Sequence, residues 1–345
     1  MAAPRFTIIL PSYNGGQYLK QCVHSVLAQS YTDFSLAVLE DGSADGSLEW
    51  LRSLNDSRLQ IYPAPHNLGI VDNWARALTI PKGEYMTILG QDDLLDQNYL
   101  AIMNALIRKY PAAGLYHAHF RFIDGQDRLL RSCGPLPERE TGAQFLEAFL
   151  TWRIDVNATG YLMRSEMYDA LGGIPRFKNL LYADHALWFI VTQNSYKVTA
   201  PEECFSFRLH TSSTSALSHW QMHLEAITEL MDFFLRFDSW NREAKQVFDQ
   251  CAPDFFSRLC ENWYASAQVH ATKSNRRLEP CVLDKFTEAL ARITPEKAAK
   301  FKNSRSVRLR QFVNSNRAAR LAYIGYILAR YGRSELPEPA TDQRA

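Results

Sequence analysis

The stretch Glu84-Tyr-Met-Thr-Ile-Leu-Gly-Gln-Asp-Asp-Leu-Leu95 decides the fold. Its first half is typical of a short buried strand, and this strand runs directly into two adjacent carboxylates, Asp92 and Asp93. In an open α/β sheet, ligands bind outside the carboxyl ends of the strands, so the pair lies where a ligand is expected. A divalent cation that holds a phosphorylated ligand would compensate both charges. The structural alternative is an Asp that caps a following helix.

Strands and helices alternate on both sides of this stretch. Apolar runs predict strands over residues 6–10, 34–39, 59–62 and 85–89, and amphipathic patterns predict helices between them. Alternation at this spacing indicates βαβ units. We therefore expect an α/β fold with a mainly parallel, Rossmann-like sheet and helices on both faces.

Polar clusters follow three of these strands and should meet at one edge of the sheet, where doubly wound sheets bind ligands. The clusters are Ser12-Tyr13-Asn14, Glu40-Asp41 and Asp92-Asp93. The sequence contains neither G-x-G-x-x-G after the first strand nor G-x-x-x-x-G-K-[ST], which argues against dinucleotide and P-loop sites. The sequence therefore predicts a ligand cleft of another kind.

The composition is that of an ordinary soluble globular protein, with 345 residues, 46% of them hydrophobic and 22% charged. A formal net charge of +1 argues against a general nucleic-acid-binding protein. The six cysteines lack metal-ligand spacing, so we expect free thiols in a reducing compartment. The early first strand does not fit a signal peptide, and no apolar run approaches the ~20 residues of a membrane span. We therefore expect a cytoplasmic protein.

The pattern changes twice along the chain. A second set of strands and helices follows residue 110, and from about residue 220 the pattern is almost entirely helical. We expect an α/β domain over residues 1–215, with halves 1–110 and 111–215. A helical region over 216–336 and a disordered tail over 337–345 should follow.

Residues 297–333 contain ten Lys or Arg and no Asp or Glu. Apolar residues recur there at helical spacing, namely Leu309, Phe312, Val313, Leu321, Ile324, Ile327 and Leu328. Basic amphipathic helices of this kind bind anionic membrane surfaces. The alternative is a helix pair that packs on the rest of the chain or on a second subunit, and the sequence leaves both open.

A set of motifs follows one order along the chain. The segments are Ile8-Ile-Leu-Pro-Ser-Tyr-Asn14, Ser25-Val-Leu-Ala-Gln-Ser-Tyr31, Glu40-Asp-Gly-Ser-Ala-Asp-Gly-Ser47, Asn67-Leu-Gly69, Gly83-Glu-Tyr85, Gln91-Asp-Asp93, Asp184 with Leu187-Trp188, and Phe207-Arg-Leu-His210. Together they make residues 5–215 similar to the GT-A fold glycosyltransferases of family 2. The resemblance implies that 1–110 is the donor half of the domain and 111–215 the acceptor half.

The chain departs from the family pattern at four positions. Glu40 replaces the first Asp of an Asp-Asp-Gly-Ser turn, and Gly90 replaces the first Asp of the Asp-x-Asp metal motif. Ala183 replaces the Glu before the catalytic Asp. Trp74, inside Asn73-Trp-Ala-Arg76, stands where an arginine often follows Asn-x-Gly.

The resemblance implies that a nucleoside-diphosphate-sugar, a UDP- or dTDP-sugar, binds along the sheet edge. The implied donor-binding residues are Pro11, Tyr13, Asn14, Glu40, Asp41, Asn67, Gly69, Arg76, Gln91, Asp92 and Asp93. Asp41 and Glu40 would accept hydrogen bonds from the base and ribose, with an acidic turn or helix N-cap as the alternative. Asp93 would position the donor sugar or cap a helix.

The same resemblance implies the catalytic groups. Asp92 and His210 would bind Mn²⁺ or Mg²⁺ at the donor diphosphate, although a lone strand histidine is otherwise structural. Asp184 would be the general base that deprotonates the acceptor hydroxyl, and a helix cap is its structural alternative.

The resemblance thus implies an inverting transferase that moves a sugar to a saccharide or lipid-linked saccharide acceptor, in bacterial surface polysaccharide (O-antigen or capsule) synthesis. Such an enzyme would be cytoplasmic or peripheral at the inner face of the plasma membrane. Gly90 leaves open a catalytically silent nucleotide-sugar-binding protein. A sugar nucleotidyltransferase is disfavoured because the glycine- and arginine-rich loop expected after the first strand is absent.

Overall fold

The computed structural model describes residues 3–210, 219–273 and 276–331. Its contacts divide the chain into two compact units. The first comprises Met1–Leu217 and Phe233–Gln250, and the second comprises Ser218–Asp232 and Cys251–Ala345. The predicted tail at 337–345 lies outside the described residues. The predicted domain boundary near residue 215 remains a prediction.

One sheet of ten strands organises the first unit. The strands are β1 (Phe6–Ser12), β2 (Phe34–Glu40), β3 (Leu59–Pro63), β4 (Tyr85–Ile88), β5 (Leu94–Leu95), β6 (Leu115–Ile123), β7 (Leu129–Ser132), β8 (Arg139–Thr141), β9 (Leu162–Arg164) and β10 (Tyr196–Arg208). Their order is β3-β2-β1-β4-β9-β6-β10-β5, with β7 on β6 and β8 on β10.

The α/β fold class is confirmed, and the sheet is mixed. Strands β3, β2, β1 and β4 pair in parallel, as do β6 and β10. Strand β9 lies antiparallel between β4 and β6. Because β2 and β4 flank β1, the carboxyl ends of these three strands lie side by side, as the polar clusters predicted.

Three short strands, β5, β7 and β8, were not predicted from the sequence. β5 has only two residues where a helix was expected to follow the Asp pair, and β7 is exposed throughout. β8 has three residues. Strands this short or this exposed do not show the apolar alternation on which the prediction depends.

Helices alternate with the strands and follow them along the described residues. Those of the first part are α1 (Gly16–Leu27), α2 (Ser47–Ser53), α3 (Ile70–Ala75), α4 (Tyr99–Lys109), α5 (Gly142–Leu150), α6 (Ser165–Ala170) and α7 (Ala183–Thr192). Those of the predicted helical region are α8 (Trp220–Arg236), α9 (Arg242–Lys273), α10 (Cys281–Ala291), α11 (Pro295–Lys302), α12 (Arg305–Ser315) and α13 (Arg317–Tyr331). The C-terminal helical region is therefore confirmed.

The core explains why these segments form these elements. All seven residues of β1 and of β2 are buried, as expected for strands covered on both faces. The apolar face of α1 packs against them through Leu19, Cys22, Val23 and Val26. The six cysteines are free thiols. Within 3–210, 219–273 and 276–331, no helix combines the length and apolar character that crossing a bilayer requires.

Candidate functional site

The turns after β1 and β2 are tied together by side chains. Asn14 accepts a hydrogen bond from the Ala44 amide at 2.9 Å, and its own amide donates to Ser43 Oγ at 3.0 Å. Asn14 is in the left-handed region with φ +47°, which asparagine tolerates better than most residues. The Gly16 amide donates to Asp45 at 2.9 Å. Burial favours the neutral form of Asp45, but hydrogen bonds from Ser47 and Gly16 outweigh it and lower the pKa of this carboxyl.

Gln91 connects the turn after β4 to the end of β1. Its Oε1 accepts from Ser12 Oγ at 2.9 Å and from the Tyr13 amide at 3.1 Å, and its Nε2 donates to the Tyr13 carbonyl at 3.1 Å. A Cβ at Gly15 would lie 2.5 Å from Gln91 Oε1, so a side chain at this position would collide with the Gln91 amide. Gln91 therefore fixes the position of Tyr13, whose side chain is 44% exposed.

Glu40 and Asp41 are buried, and their carboxylates accept hydrogen bonds from backbone amides. Glu40 accepts from the amides of Ser43 and Gly42 at 2.6 and 3.2 Å. Asp41 accepts from the amides of Leu68 and Gly69 at 2.8 and 3.1 Å. These bonds place the two carboxylates at the predicted edge and define the loops around it. Their predicted bonds to a base and ribose remain predictions.

Arg76 and Asn67 complete this part of the edge. The Arg76 guanidinium donates to the carbonyls of Glu40 at 3.1 Å and Tyr62 at 2.5 Å, so it joins the ends of β2 and β3. Asn67 Oδ1 accepts from the Gly69 amide at 2.7 Å. Both side chains support the loops, and their contact with a donor remains a prediction.

The structure brings Asp92 and His210 together although 118 residues separate them. His210 Nε2 lies 2.7 Å from Asp92 Oδ2, and the Asp92 side chain is 28% exposed. His210 directly follows the end of β10, next to the loop after β4. A carboxylate and an imidazole in contact, with the carboxylate partly open to solvent, are a suitable donor pair for a divalent ion.

These two residues fit Mn²⁺ or Mg²⁺ as a site that a phosphorylated ligand completes. Within the described part of the chain, no group of three or more His, Cys, Asp or Glu side chains could hold a metal. Two protein ligands therefore leave the remaining positions to phosphate oxygens and water, which is how Mg²⁺ is usually held beside nucleotides. Imidazole and carboxylate oxygen also suit Mn²⁺.

Asp93 is more deeply buried than Asp92 and has other hydrogen-bond partners. Its carboxylate is 1% exposed and accepts from Thr159 Oγ1 at 2.5 Å and from the Arg208 amide at 3.0 Å. Burial, and then the charge of Asp92, raise the pKa of Asp93 well above its ordinary value. No helix starts at Asp93, so it is not the predicted helix cap. Its contact with a donor sugar remains a prediction that this burial does not favour.

No role in the site was predicted from the sequence for Arg208 or Tyr18. The fully buried Arg208 side chain donates to the Asp92 carbonyl at 2.6 Å and to the Asp124 carbonyl at 3.1 Å, and it pairs with Asp127. The Tyr18 ring lies 4.7 Å from the Arg208 guanidinium and 4.9 Å from the His210 ring. Arg208 thus contacts the Asp92 backbone and Tyr18 contacts the His210 ring, so both help to hold this pair in place.

Asp184 lies in the first turn of α7 and is 6% exposed. Its Oδ1 is 3.0 Å from Nδ1 of His185. Burial, and then the charge of Asp184, raise the pKa of Tyr161 well above its ordinary value, so the two side chains are electrostatic neighbours. The Tyr161 and Trp188 ring centroids lie 4.7 Å apart, with the two rings tilted by 31°.

The segment before Tyr161 connects Asp184 to the sheet edge. The Gly160 amide donates to the Ile88 carbonyl at the end of β4 at 3.1 Å. One residue earlier, Thr159 bonds Asp93. The charge of Asp184 thus acts on Tyr161, which directly follows a segment bonded to the end of β4 and to Asp93. The base assignment remains a prediction.

Comparison with known proteins gives this site a context. Residues 7–165 match the family model Glycosyl transferase family 2, which is less than half of the chain. Glycosyltransferase GlyG of Streptococcus pneumoniae serotype 4 is 26% identical over 133 residues, which are 35% of this chain and 44% of GlyG. The match thus spans less than half of this relative. These findings support a family 2 glycosyltransferase domain over residues 7–165.

Solved structures share the fold over almost the whole chain. TarS residues 1–349 from S. aureus, in complex with UDP-GlcNAc, align with a TM-score of 0.63 and 16% identity, over 93% of this chain and 92% of that one. The mannosyltransferase PcManGT from Pyrobaculum calidifontis, in complex with GDP-Man and Mn²⁺, aligns with a TM-score of 0.51 and 16% identity, over 94% and 88%. At these identities the likeness establishes the fold alone.

Proposed function

We propose that this chain, whose residues 7–165 match glycosyl transferase family 2, transfers a sugar from a UDP- or dTDP-sugar to a hydroxyl of a saccharide or lipid-linked saccharide, with inversion. The observation that carries the proposal is the contact of Asp92 with His210 at 2.7 Å, on the edge where β1, β2 and β4 end. The proposed setting is the synthesis of bacterial surface polysaccharide such as O-antigen or capsule.

Each part of the edge has a role in this proposal. The nucleoside would bind at the turns that Glu40 and Asp41 define, and the diphosphate would bind beside Asp92 and His210. A divalent ion held by these two residues would supply counter-charge to the leaving diphosphate. Asp184 would accept the proton of the attacking hydroxyl, since one carboxylate within hydrogen-bond reach is sufficient for that step.

Experiments can distinguish two alternative functions from this proposal. A catalytically silent protein that binds nucleotide-sugars stays open because Gly90 removes one carboxylate of the usual metal motif. A Cβ at Gly90 would lie 2.9 Å from both Asp92 Oδ1 and Asp93 Oδ2, so this turn leaves little space for a second acid. A sugar nucleotidyltransferase has no specific observation in its favour.

We expect a matching nucleotide-sugar with Mn²⁺ to raise the melting temperature of the protein by several degrees. A ligand at a hundred times its Kd adds about 2.7 kcal/mol to the free energy of unfolding. The measurement is a thermal-shift panel of UDP-, dTDP- and GDP-sugars, followed by donor hydrolysis with and without Mn²⁺. Stabilisation with no hydrolysis and no transfer would favour the silent binder, and no stabilisation by any donor would contradict the proposal.

The second unit carries a surface suited to an anionic membrane. On α12 and α13, Leu309, Phe312 and Leu321 are 65%, 56% and 52% exposed. Arg305 and Arg308 beside them are also exposed, and residues 297–333 include no acid. We call these five residues the basic helical surface. Exposed apolar side chains within a positive field match a lipid bilayer with acidic headgroups, and we propose peripheral binding at the inner leaflet.

We expect the protein to sediment with vesicles that contain phosphatidylglycerol, and we expect Leu309→Ser, Phe312→Ser and Leu321→Ser together to abolish this. Each exposed Lys or Arg near such a surface contributes ~1 kcal/mol, so binding should also weaken with salt. The triple substitution is preferable to deleting 297–345, because that deletion would remove the buried Phe301 and Val307.

The matched control is Leu129→Ser with Leu130→Ser, two leucines of the first unit that are 62% and 52% exposed. This control should sediment with the vesicles as the unchanged protein does. Equal recovery of all three proteins in the supernatant at low salt would contradict membrane binding. If the triple substitution instead changes the molecular mass in solution, the surface serves self-association.

A further inference from the structure

Residues of the second unit line a cavity of about 550 Å³. It is bounded by the start of α8, the last turns of α9 and residues 276–279 before α10. Its volume falls within the roughly 300–1,000 Å³ of small-molecule sites. Neither the family match over residues 7–165 nor the proposed transfer reaction uses any of its lining residues.

The walls combine three kinds of chemistry. Trp220 supplies a partly exposed aromatic ring beside the apolar Ala271. Arg276 and Arg277 are exposed at the rim and supply two guanidinium groups. Glu279 adds a carboxylate to the same segment. An aromatic ring, two cations and an acceptor for hydroxyl groups are thus presented to one space.

The segment that carries the arginines is fixed in place. The Leu278 amide donates to Asn314 Oδ1 at 2.8 Å, and Asn314 Nδ2 donates to the Leu278 carbonyl at 2.7 Å. The Arg276 amide donates to the Ala271 carbonyl at 2.8 Å. Because the backbone of this segment is held on both sides, its side chains can bind a ligand with little further loss of conformational entropy.

On the two helices that contribute to this cavity, four buried polar atoms have no hydrogen-bond partner among the described residues. They are both ring nitrogens of His223, Oε1 of Gln268 and Oγ1 of Thr272. The three residues directly follow the lining residues Met222, Ala267 and Ala271, and they are 3%, 1% and 0% exposed.

Buried groups of this kind need water or a ligand, because leaving them unpaired is costly. Burial lowers the pKa of His223 to about 4. The imidazole is therefore neutral near pH 7, with one donor and one acceptor nitrogen.

We propose that the cavity binds a sugar that carries a phosphate group. Paired guanidinium groups recognise phosphate, and the Trp220 ring would pack on the apolar face of the sugar. A phosphate alone would gain nothing from Glu279, and a neutral sugar would leave Arg276 and Arg277 without an anion. This binding does not depend on the proposed transfer reaction.

The test is calorimetric titration of the full chain with glucose 1-phosphate, inorganic phosphate and glucose. We expect saturable binding of glucose 1-phosphate that Arg276→Gln with Arg277→Gln weakens at least about tenfold, since charge-assisted hydrogen bonds are lost. Trp220→Leu should weaken glucose 1-phosphate more than phosphate. The matched control is Lys300→Gln with Lys302→Gln, which removes two exposed cations of the same unit and should leave binding unchanged.

Three outcomes would overturn the inference. They are absence of binding, equal affinity for phosphate and glucose 1-phosphate, and binding that the arginine substitutions leave unchanged. The last result would place the ligand elsewhere, for example at the sheet edge. Because the assay needs no turnover, its failure would leave the proposed transfer reaction untouched, and an inactive enzyme that still binds would separate the two conclusions.

Discussion

Replacement of Asp184 by Asn is expected to lower turnover by about 10²–10⁴-fold while donor affinity changes little. Asparagine keeps the shape of the side chain in the first turn of α7 but cannot accept the proton of the acceptor hydroxyl. The position is 6% exposed and adjoins Tyr161 and His185, so a larger change would disturb packing. The measurement is the rate of sugar transfer to an identified acceptor, with donor affinity determined by titration.

Glu166→Gln is the matched control for this prediction. Glu166 is an exposed acid in the first turn of α6, so its change tests the loss of one carboxylate at a helix start away from the proposed chemistry. We expect that variant to keep normal turnover. Near-normal turnover of Asp184→Asn would show that another group deprotonates the acceptor, and an equal fall in donor affinity would indicate a structural role for Asp184.

Local sequence was sufficient to predict the elements that position the edge. The apolar runs of β1, β2 and β4 are continuous, and each ends in polar residues that a buried strand would not hold. Parallel order then follows from the intervening helices, and it places the polar ends together. These predictions depend only on neighbouring residues and on general rules of topology, which is why the structure agrees with them.

The surroundings of Asp92 could not be predicted in the same way. Its contact with His210 spans 118 residues and entered the sequence reading only through the family resemblance. Arg208 is a charged side chain that is fully buried, which no local pattern indicates because it depends on carbonyls and acids from distant loops. The inward direction of Asp93 depends on Thr159 in the same way.

The residues predicted to bind the sugar donor show that a sequence motif locates a residue without determining its role. Glu40 and Asp41 lie at the predicted edge, yet the structure uses both to hold backbone amides of adjacent loops. A carboxylate oxygen has more than one acceptor site, so such a bond does not prevent contact with a ligand. The motif therefore gives the place of these residues, and their role requires a measurement.

Asp92→Ala should abolish the stimulation of transfer by Mn²⁺ or Mg²⁺ and weaken donor binding, because the diphosphate loses its counter-charge. His210→Ala should have an effect of the same kind, since Nε2 lies 2.7 Å from the Asp92 carboxylate. If both residues hold one ion, the double variant should be little worse than Asp92→Ala alone, because coupled residues are not additive.

The control for these variants is Asp249→Ala, an acid on α9 whose side chain is 58% exposed. Binding of Mn²⁺ in the presence of a nucleoside diphosphate, measured by electron paramagnetic resonance, reports the site without requiring turnover. The control should bind the ion as the unchanged protein does, and Asp92→Ala should not. Full activity of the unchanged protein in EDTA would contradict the metal assignment. In that case the contact of Asp92 with His210 would be a hydrogen bond that orders the loop after β4, and Gly90 would mark a transferase that works without the ion.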